Sequence, residues 1–298
     1  MTADPITTVF LPVALGFIMF GLGLSLRVAD FTRVLVMPKA VFVGLACQVI
    51  LLPLVCVGIA HAFALEPALA VGLMLLAASP GGATANLYSH LANGDVALNI
   101  TLTAINSVLA IVTLPIVVNL SMLHFYGEGK AIPLQFAKVV QVFVIVLGPV
   151  ALGMLLNAKA PALTQKLVKP VKWLSILFLI AIIALAVSKE SGNIGTFVQV
   201  VGGACLAFNL ISLAVGYAVP RLLGLGERQA IAIGMEIGIH NGTLAIAVAL
   251  SPLMLDNPTM AIPPAVYSII MFFTAAAFGW WANRRLRAGA QAANPSGL

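Results

Sequence analysis

Residues 234–243 read GMEIGIHNGT, and Glu236 stands in a run whose neighbours are nearly all apolar. A carboxylate in such a place can hold a cation, trade a proton or pair with a fixed base. Eight of the nine acidic residues, Asp4, Asp30, Glu66, Asp95, Glu128, Glu190, Glu227 and Asp256, fall at termini, in loops or at helix ends, so Glu236 alone lies deep in an apolar segment. If that segment crosses a bilayer, an ionised side chain at its centre costs about 2.5–3.5 kcal/mol on insertion scales. No lysine or arginine stands at comparable depth. The counter-charge must then be a proton, a metal cation or a ligand, which points to transport. The competing reading is a permanently protonated glutamic acid that bonds one helix to another.

Three other stretches carry polar groups where apolar ones are expected. In NITLTAINS, residues 99–107, Asn99, Thr103 and either Asn106 or Ser107 recur at helical steps and share one face. Neutral oxygens on such a face suit a hard cation, and the same residue types also serve as contacts between membrane helices. Gln48, alone in its apolar segment, is open to the same two readings. In SPGGATAN, residues 79–86, Pro80 removes a backbone donor and Gly81 and Gly82 weaken the helix further. GIHNG, residues 238–242, marks a second interruption. Breaking a helix at membrane depth frees backbone amides and carbonyls, which is tolerable only where they line a protein cavity. Pro53, Pro115 and Pro149 lack a neighbouring glycine pair and read as kinks.

The elements that must position these groups follow from composition. Of 298 residues, 61% are hydrophobic and 8% charged, and the mean hydropathy is +1.11. These values exclude an ordinary soluble domain and define an all-α polytopic membrane protein, because a hydrocarbon core about 30 Å thick takes roughly 20 apolar residues per helix. Polar and Pro/Gly clusters divide the chain into nine spans, near 5–26, 38–61, 67–91, 96–123, 134–157, 169–188, 195–221, 227–251 and 260–283. Loops after the odd spans and the tail hold Arg27, Arg33, Lys39, Lys159, Lys166, Lys169, Lys172, Arg221, Arg228, Arg284, Arg285 and Arg287; the other side holds Lys130, Lys138 and Lys189. Twelve against three places the C-terminus in the cytoplasm and the N-terminus outside the cell membrane. Trp173, Trp280 and Trp281 read as interfacial anchors on the cytoplasmic side. The start, MTADPITTVF, has no basic leader, so the first apolar run is expected to remain as a span. The formal charge of +6 is explained by orientation and calls for no nucleic acid. Cys47, Cys56 and Cys205 show no metal-ligand spacing.

The two interruptions lie five spans apart, and an odd offset makes corresponding helices antiparallel. This is the arithmetic of an inverted repeat, pairing span 4 with 9, 2 with 7 and 1 with 6. Two such helices crossing near the midplane would aim half-helix N-termini at a common anion. Two unrelated glycine-rich packing sites are the competing reading. No HExxH, GxSxG, paired catalytic carboxylates or CxxC is present, so no enzyme is expected.

With MFGLGLSL, PGGATAN, GDVALNITLT and EIGIHNGTLA in these positions, the chain resembles the bile acid:sodium symporter family over essentially its whole length, in a nine-helix form. The resemblance implies a core domain, 38–123 and 195–283, moving against a panel domain, 5–26 and 134–188. It implies up to two sodium ions: a first site of Glu236, Asn86, Asn99 and Thr103, and a second of Glu236, Gln48, His240 and backbone carbonyls near Ile237 and Ile239. It also implies that Gly82, Ala83, Thr84, Asn241, Gly242 and Thr243 form the half-helix ends beside a small organic anion such as pantoate. Three positions depart from the family pattern. Ala85 replaces a serine, Asn99 replaces another serine but keeps an oxygen, and His240 replaces a glutamine. His240 can accept a proton or form an i,i+4 pair with Glu236. The expected function is a sodium-coupled symporter importing a small organic carboxylate, with proton coupling through Glu236 and His240 as the alternative and a membrane ligand sensor as a further one.

Overall fold

The computed structural model describes residues 11–127, 136–189, 194–251 and 254–293. Within them the chain forms helices α1 (Leu11–Ser25), α2 (Val28–Thr32), α3 (Pro38–Ala46), α4 (Leu52–Ala62), α5 (Pro67–Ala77), α6 (Ala83–Leu91), α7 (Val96–Tyr126), α8 (Phe136–Lys159), α9 (Pro161–Lys189), α10 (Ile194–Leu222), α11 (Glu227–Gly238), α12 (Gly242–Leu250) and α13 (Ile262–Ala293). No strand occurs among the described residues, and the one bridge joins Gly81 to His240. The all-α expectation holds. Among the described residues, four helical stretches are long and apolar enough to cross a membrane: Pro38–Ala62, Val96–Tyr126, Gln199–Leu222 and Thr259–Ala288.

The polarity of these helices is inverted relative to a soluble protein. On the first stretch Phe42, Ile50 and Leu54 are 75%, 61% and 65% exposed, whereas Gln48 is 3% exposed. Apolar side chains face outward, where lipid would cover them, and polar ones face inward, as transfer energetics require when the surroundings are hydrocarbon. The same stretch is continuous but not uniform, because Cys47–Leu51 forms a π turn between α3 and α4. Pro53 explains it: the ring has no N–H and would clash with the carbonyl four residues back, so the ladder widens, with Leu52 N–H reaching Cys47 O. Gln48 sits inside that turn. Pro115 and Pro149 lie within unbroken α7 and α8, as their isolation from glycine pairs predicts.

The apolar intervals 67–91 and 227–251, expected as spans 3 and 8, are each interrupted. α5 stops at Ala77 and α6 starts at Ala83; α11 stops at Gly238 and α12 starts at Gly242. α1 lies along α8 and α9, while α10 lies along α11 and α13, and α7 packs on α5, α6 and α11. Helix ends alternate between two faces. α4 and α7 finish together, with His61 Nε2 and His124 Nε2 2.7 Å apart. At the opposite ends, the turn before α7 meets the start of α11 through Asp95 N–H to Arg228 O at 2.9 Å. Left-handed residues Ala64 (φ 46°), Asn93 (φ 56°) and Gly224 (φ 77°) turn the chain after α4, α6 and α10. In each case the next N–H returns to the carbonyl five residues back: Leu65 to Ala60, Gly94 to Ser89 and Leu225 to Pro220. These closures satisfy carbonyls that the helix ends would otherwise leave free.

Charge is concentrated where α10, α11 and α13 converge. Glu227, the first residue of α11, lies 3.2 Å from Arg221 and 3.4 Å from Arg285, and accepts from the Tyr217 hydroxyl. Arg284 covers the Trp280 ring at 3.9 Å. These groups belong to the face that the charge count assigns to the cytoplasm.

α7 begins on Asp95, whose Oδ1 accepts from Leu98 N–H at 3.1 Å. This cap fixes the first turn of the helix that presents Asn99 and Thr103. Replacing a capping Asp by Ala costs about 0.5–2 kcal/mol. Asp95→Ala is therefore expected to lower the thermal unfolding midpoint of the purified protein, and Asp95→Asn, which keeps the acceptor, to lower it much less; equal losses would exclude the capping role.

Candidate functional site

The site starts from the two interruptions. Pro80 has no N–H, and beyond it Gly81 and Gly82 give the chain an extended course, with Gly82 at φ −137°, ψ 178°. In span 8, Ile239 is likewise extended at φ −116°, ψ 90°. The two extended segments pair antiparallel, Gly81 with His240, and Asn241 N–H donates to Pro80 O at 2.8 Å. In a continuous helix that N–H would have gone to Ile237 O. The pairing therefore releases the Ile237 carbonyl from the helical ladder.

Freed carbonyls on each break are held by one amide from a neighbouring helix. Gln48 Nε2 donates to Ala77 O at 3.1 Å and to Ser79 O at 3.0 Å. Asn209 Nδ2 of α10 donates to Gly238 O at 2.8 Å, and the Tyr267 hydroxyl of α13 donates to the same oxygen at 3.0 Å. Thr274 closes the second cluster by donating to Asn209 Oδ1. Asn209, Tyr267 and Thr274 were not among the residues expected from sequence. Asn209 could have been: like Gln48, it is an amide in the middle of an apolar run, here GGACLAFNLISLAVG.

Glu236 lies in the last turns of α11 and is completely buried. Thr103 donates to its Oε2 at 2.6 Å, and the Asn106 amide lies beside the carboxyl. The carboxyl also rests directly on the opposing backbone: a Cβ built on Gly81 would fall on it. Among the described residues no ion pair includes Glu236, and no lysine or arginine is buried. An unpaired carboxylate or a protonated acid are the only fixed-protein possibilities, and burying an unpaired ion costs several kcal/mol.

Buried polar atoms without partners are concentrated on the elements that meet at the crossing. Glu236 Oε1, Asn86 Oδ1, Asn99 Oδ1, Gln48 Oε1, His240 Nε2 and both ends of the Asn106 amide are buried and unbonded. Each such group costs about 1–3 kcal/mol if nothing meets it. Two of the amides have their nitrogens engaged, Asn99 Nδ2 with Ala232 O at 2.7 Å and Gln48 Nε2 as above, whereas Asn106 Nδ2 is free. For Asn99 and Gln48 the donor is turned to the protein and the oxygen is left over, the arrangement expected of cation ligands.

His240 is not an i,i+4 partner of Glu236. It lies in the break, outside the helix, with Nδ1 3.1 Å from Ser79 O and its ring stacked on Phe208 at 5.6 Å. A carbonyl can only accept, so Nδ1 carries the proton and Nε2 keeps a buried lone pair. Thr103 and Asn106 thus meet Glu236, and Gln48 and His240 meet at Ser79 O. Asn99 sits one turn before Thr103; Asn86 is partly buried in the second turn of α6. Ile237 and Ile239 are buried, and Gly242 packs on Ser268 and Pro264.

The two half-helix N-termini differ. α12 is capped internally, Asn241 Oδ1 accepting from Leu244 N–H at 3.0 Å. α6 starts after Gly82 with no side-chain cap, and of its first-turn donors Ala85 N–H turns back to Gly82 O at 2.9 Å; an uncapped helix N-terminus has donors to offer another acceptor. A cavity beside the crossing is lined by Met19, Leu26, Pro80, Ala104, Ser107 and Asn241, among others. Of the residues expected to touch an anion, Asn241 reaches it; Thr243 is partly buried one turn away.

Interrupted helices crossing over a buried, oxygen-rich centre define a multi-pass membrane transporter. The chain belongs to the Sodium Bile acid symporter family, whose sequence profile matches residues 12–197. It is 28% identical over 260 residues to an uncharacterized sodium-dependent transporter of Bacillus subtilis, covering 87% of this chain and 78% of that one. It is 28% identical to a chloroplastic Oryza sativa subsp. japonica protein described as a probable sodium/metabolite cotransporter, covering 93% of this chain and 64% of that one. It is 22% identical to the rabbit (Oryctolagus cuniculus) ileal sodium/bile acid cotransporter, over 90% of this chain and 77% of the relative.

The contact between Gly81 and the Glu236 carboxyl gives a test. A methyl at position 81 must displace the carboxyl or the break, and overpacking of this kind costs about 1–3 kcal/mol. Gly82 has nothing within 4 Å of the equivalent position. Gly81→Ala is expected to lower thermal stability markedly and Gly82→Ala to leave it nearly unchanged; similar behaviour of the two would contradict this packing.

Proposed function

We propose that this protein is a sodium-coupled symporter that imports a small organic carboxylate by alternating access. The observation that carries the reading is the set of buried oxygens, Glu236 Oε1, Asn86 Oδ1, Asn99 Oδ1 and Gln48 Oε1, left without donors around a carboxylate without a fixed counter-charge. Sodium is the fitting occupant, because hard monovalent and divalent cations take carbonyl, hydroxyl and carboxylate oxygen, and the sodium-dependent relatives named above support the choice. Glu236, Asn86, Asn99 and Thr103 form the first ion site. Gln48, His240 and the Ile237 and Ile239 carbonyls form a second, in which His240 offers nitrogen where an oxygen would be the harder donor.

The anion is assigned to the uncapped α6 N-terminus at Gly82, Ala83 and Thr84, with Asn241, Gly242 and Thr243 from the opposing break. Sodium stabilises the crossing that aims these donors, so ion and anion favour one another, and the effect is reciprocal in free energy. A pantoate-like acid is the first cargo to test.

The chain is read as nine spans in an inverted repeat. Equal spacing supports this: Gln48 to Ala77 and Asn209 to Gly238 each span 29 residues, and the His240 to Ser79 contact spans 161, the offset between the two sets. The core domain is 38–123 and 195–283, the panel 5–26 and 134–188, with the basic face in the cytoplasm. Residues 5–10, 134–135 and 252–253 of these intervals lie outside the described residues.

Uptake by proteoliposomes tests the assignment. Glu236→Ala, Asn86→Ala and Thr103→Val are expected to abolish or severely reduce sodium-driven pantoate uptake. For Thr103→Val, loss of a hydrogen bond to a charged group, worth about 1.5–3 kcal/mol, should raise the half-saturating sodium concentration roughly ten- to hundredfold. Normal sodium-dependent uptake by Glu236→Ala would remove the reading. The buried lone pair of His240 favours one rival, coupling to protons; uptake driven by an imposed pH gradient in the absence of sodium would establish it instead.

A further inference from the structure

Comparing the two halves at the 161-residue offset shows where they agree and where they part. Gln48 matches Asn209, and each amide holds the last carbonyl of the first half-helix, Ala77 in α5 and Gly238 in α11. Ser107 matches Ser268, and each hydroxyl donates to the carbonyl four residues back, Thr103 O at 2.6 Å and Pro264 O at 2.7 Å. One residue earlier the halves diverge: Asn106 stands opposite Tyr267.

Tyr267 is completely buried, and its hydroxyl donates to Gly238 O, so in the second half a ring fills the place of the amide and the last carbonyl of the half-helix takes a second donor. Asn106 is 2% exposed, yet neither Oδ1 nor Nδ2 has a partner. It lines a cavity with Gln48, Ala78 and Pro80, and Gln48 Oε1 is also unpartnered. On its other side lies the Glu236 carboxyl. A primary amide there has one acceptor to offer a cation and two donors for a carboxylate. That is what a place between two ion positions demands.

We propose that Asn106 is a further cation ligand, bridging the Glu236 and Gln48 oxygens into one chamber that exists because the first half carries an amide where the second carries a space-filling phenol. The inference rests on the sodium reading above and adds to it a residue and an origin for the cavity. It also accounts for an open cavity beside the first break where the second is filled by a ring.

The mirrored substitution tests it. Asn106→Tyr gives the first half the closed arrangement of the second, and Asn106→Ala removes both polar ends without adding bulk. Sodium chloride and lithium chloride are titrated into the full-length protein in detergent at constant ionic strength, following thermal stabilisation and ²²Na⁺ binding. Both variants are expected to raise the half-saturating sodium concentration about tenfold or more, the loss of one good ligand interaction. They are also expected to change the sodium-to-lithium preference, which a purely structural defect would leave alone. If Asn106→Tyr does not fold, Asn106→Ala decides alone. Wild-type sodium affinity and selectivity in Asn106→Ala, with the native protein sodium-stabilised, would overturn the role of Asn106. Absence of any sodium effect on the native protein would instead overturn the sodium reading itself.

Discussion

The structure depends on a carboxyl group that is buried completely and has no fixed cation to face. Glu236 rests on the backbone of Gly81, accepts from Thr103 and keeps its second oxygen free. A group so placed is tolerable only if something positive visits it or a proton stays on it. The interruption of spans 3 and 8 follows from the same requirement. Only a glycine in extended backbone lets the carboxyl approach, and only a broken helix turns its own carbonyls toward the same space. The amides that hold those carbonyls, Gln48 and Asn209, make the breaks rigid and not merely irregular.

The two breaks are held in the same way and finished differently. Both breaks are held by an amide from the preceding long helix at the same sequence separation. At the second break Gly238 O takes two donors, Asn209 Oδ1 takes Thr274 and α12 is capped by Asn241, while His240 Nε2 stays unbonded. At the first, α6 has no side-chain cap and Gln48 and Asn106 keep free ends. The second break is thus the more fully bonded of the two, and each contributes unmet polar groups to the centre.

Much of this was legible in the sequence for physical reasons. The isolation of Glu236 could be seen because hydropathy exposes any charge in an apolar run. Pro80 with two glycines announced a break because proline and glycine fail in a helix by different mechanisms. Helices coincide with the expected apolar intervals, though α9 starts at Pro161, ahead of the expected 169, since a proline at a first turn is compatible with helix. The identity of most ligand candidates came from family likeness and not from spacing. Other features depend on which side chain meets which backbone oxygen across 29 or more residues, and no local pattern encodes that. The π turn around Gln48, the Asn209–Tyr267–Thr274 cluster and the partner of His240 are of this kind. His240 illustrates the limit: its spacing from Glu236 suggested a helical pair, but the break removes it from the helix and Ser79 O claims its Nδ1.

The charged knot at the start of α11 has a mechanical meaning. Glu227 is fastened to Arg221 of α10 and Arg285 of α13, and nine residues of unbroken helix, about 13 Å at 1.5 Å per residue, separate it from Glu236. A short rigid rod clamped at one end cannot slide independently of its neighbours. A displacement of the polar centre therefore loads the contacts that join α11 to α10 and α13, along their length as well as at this charged end.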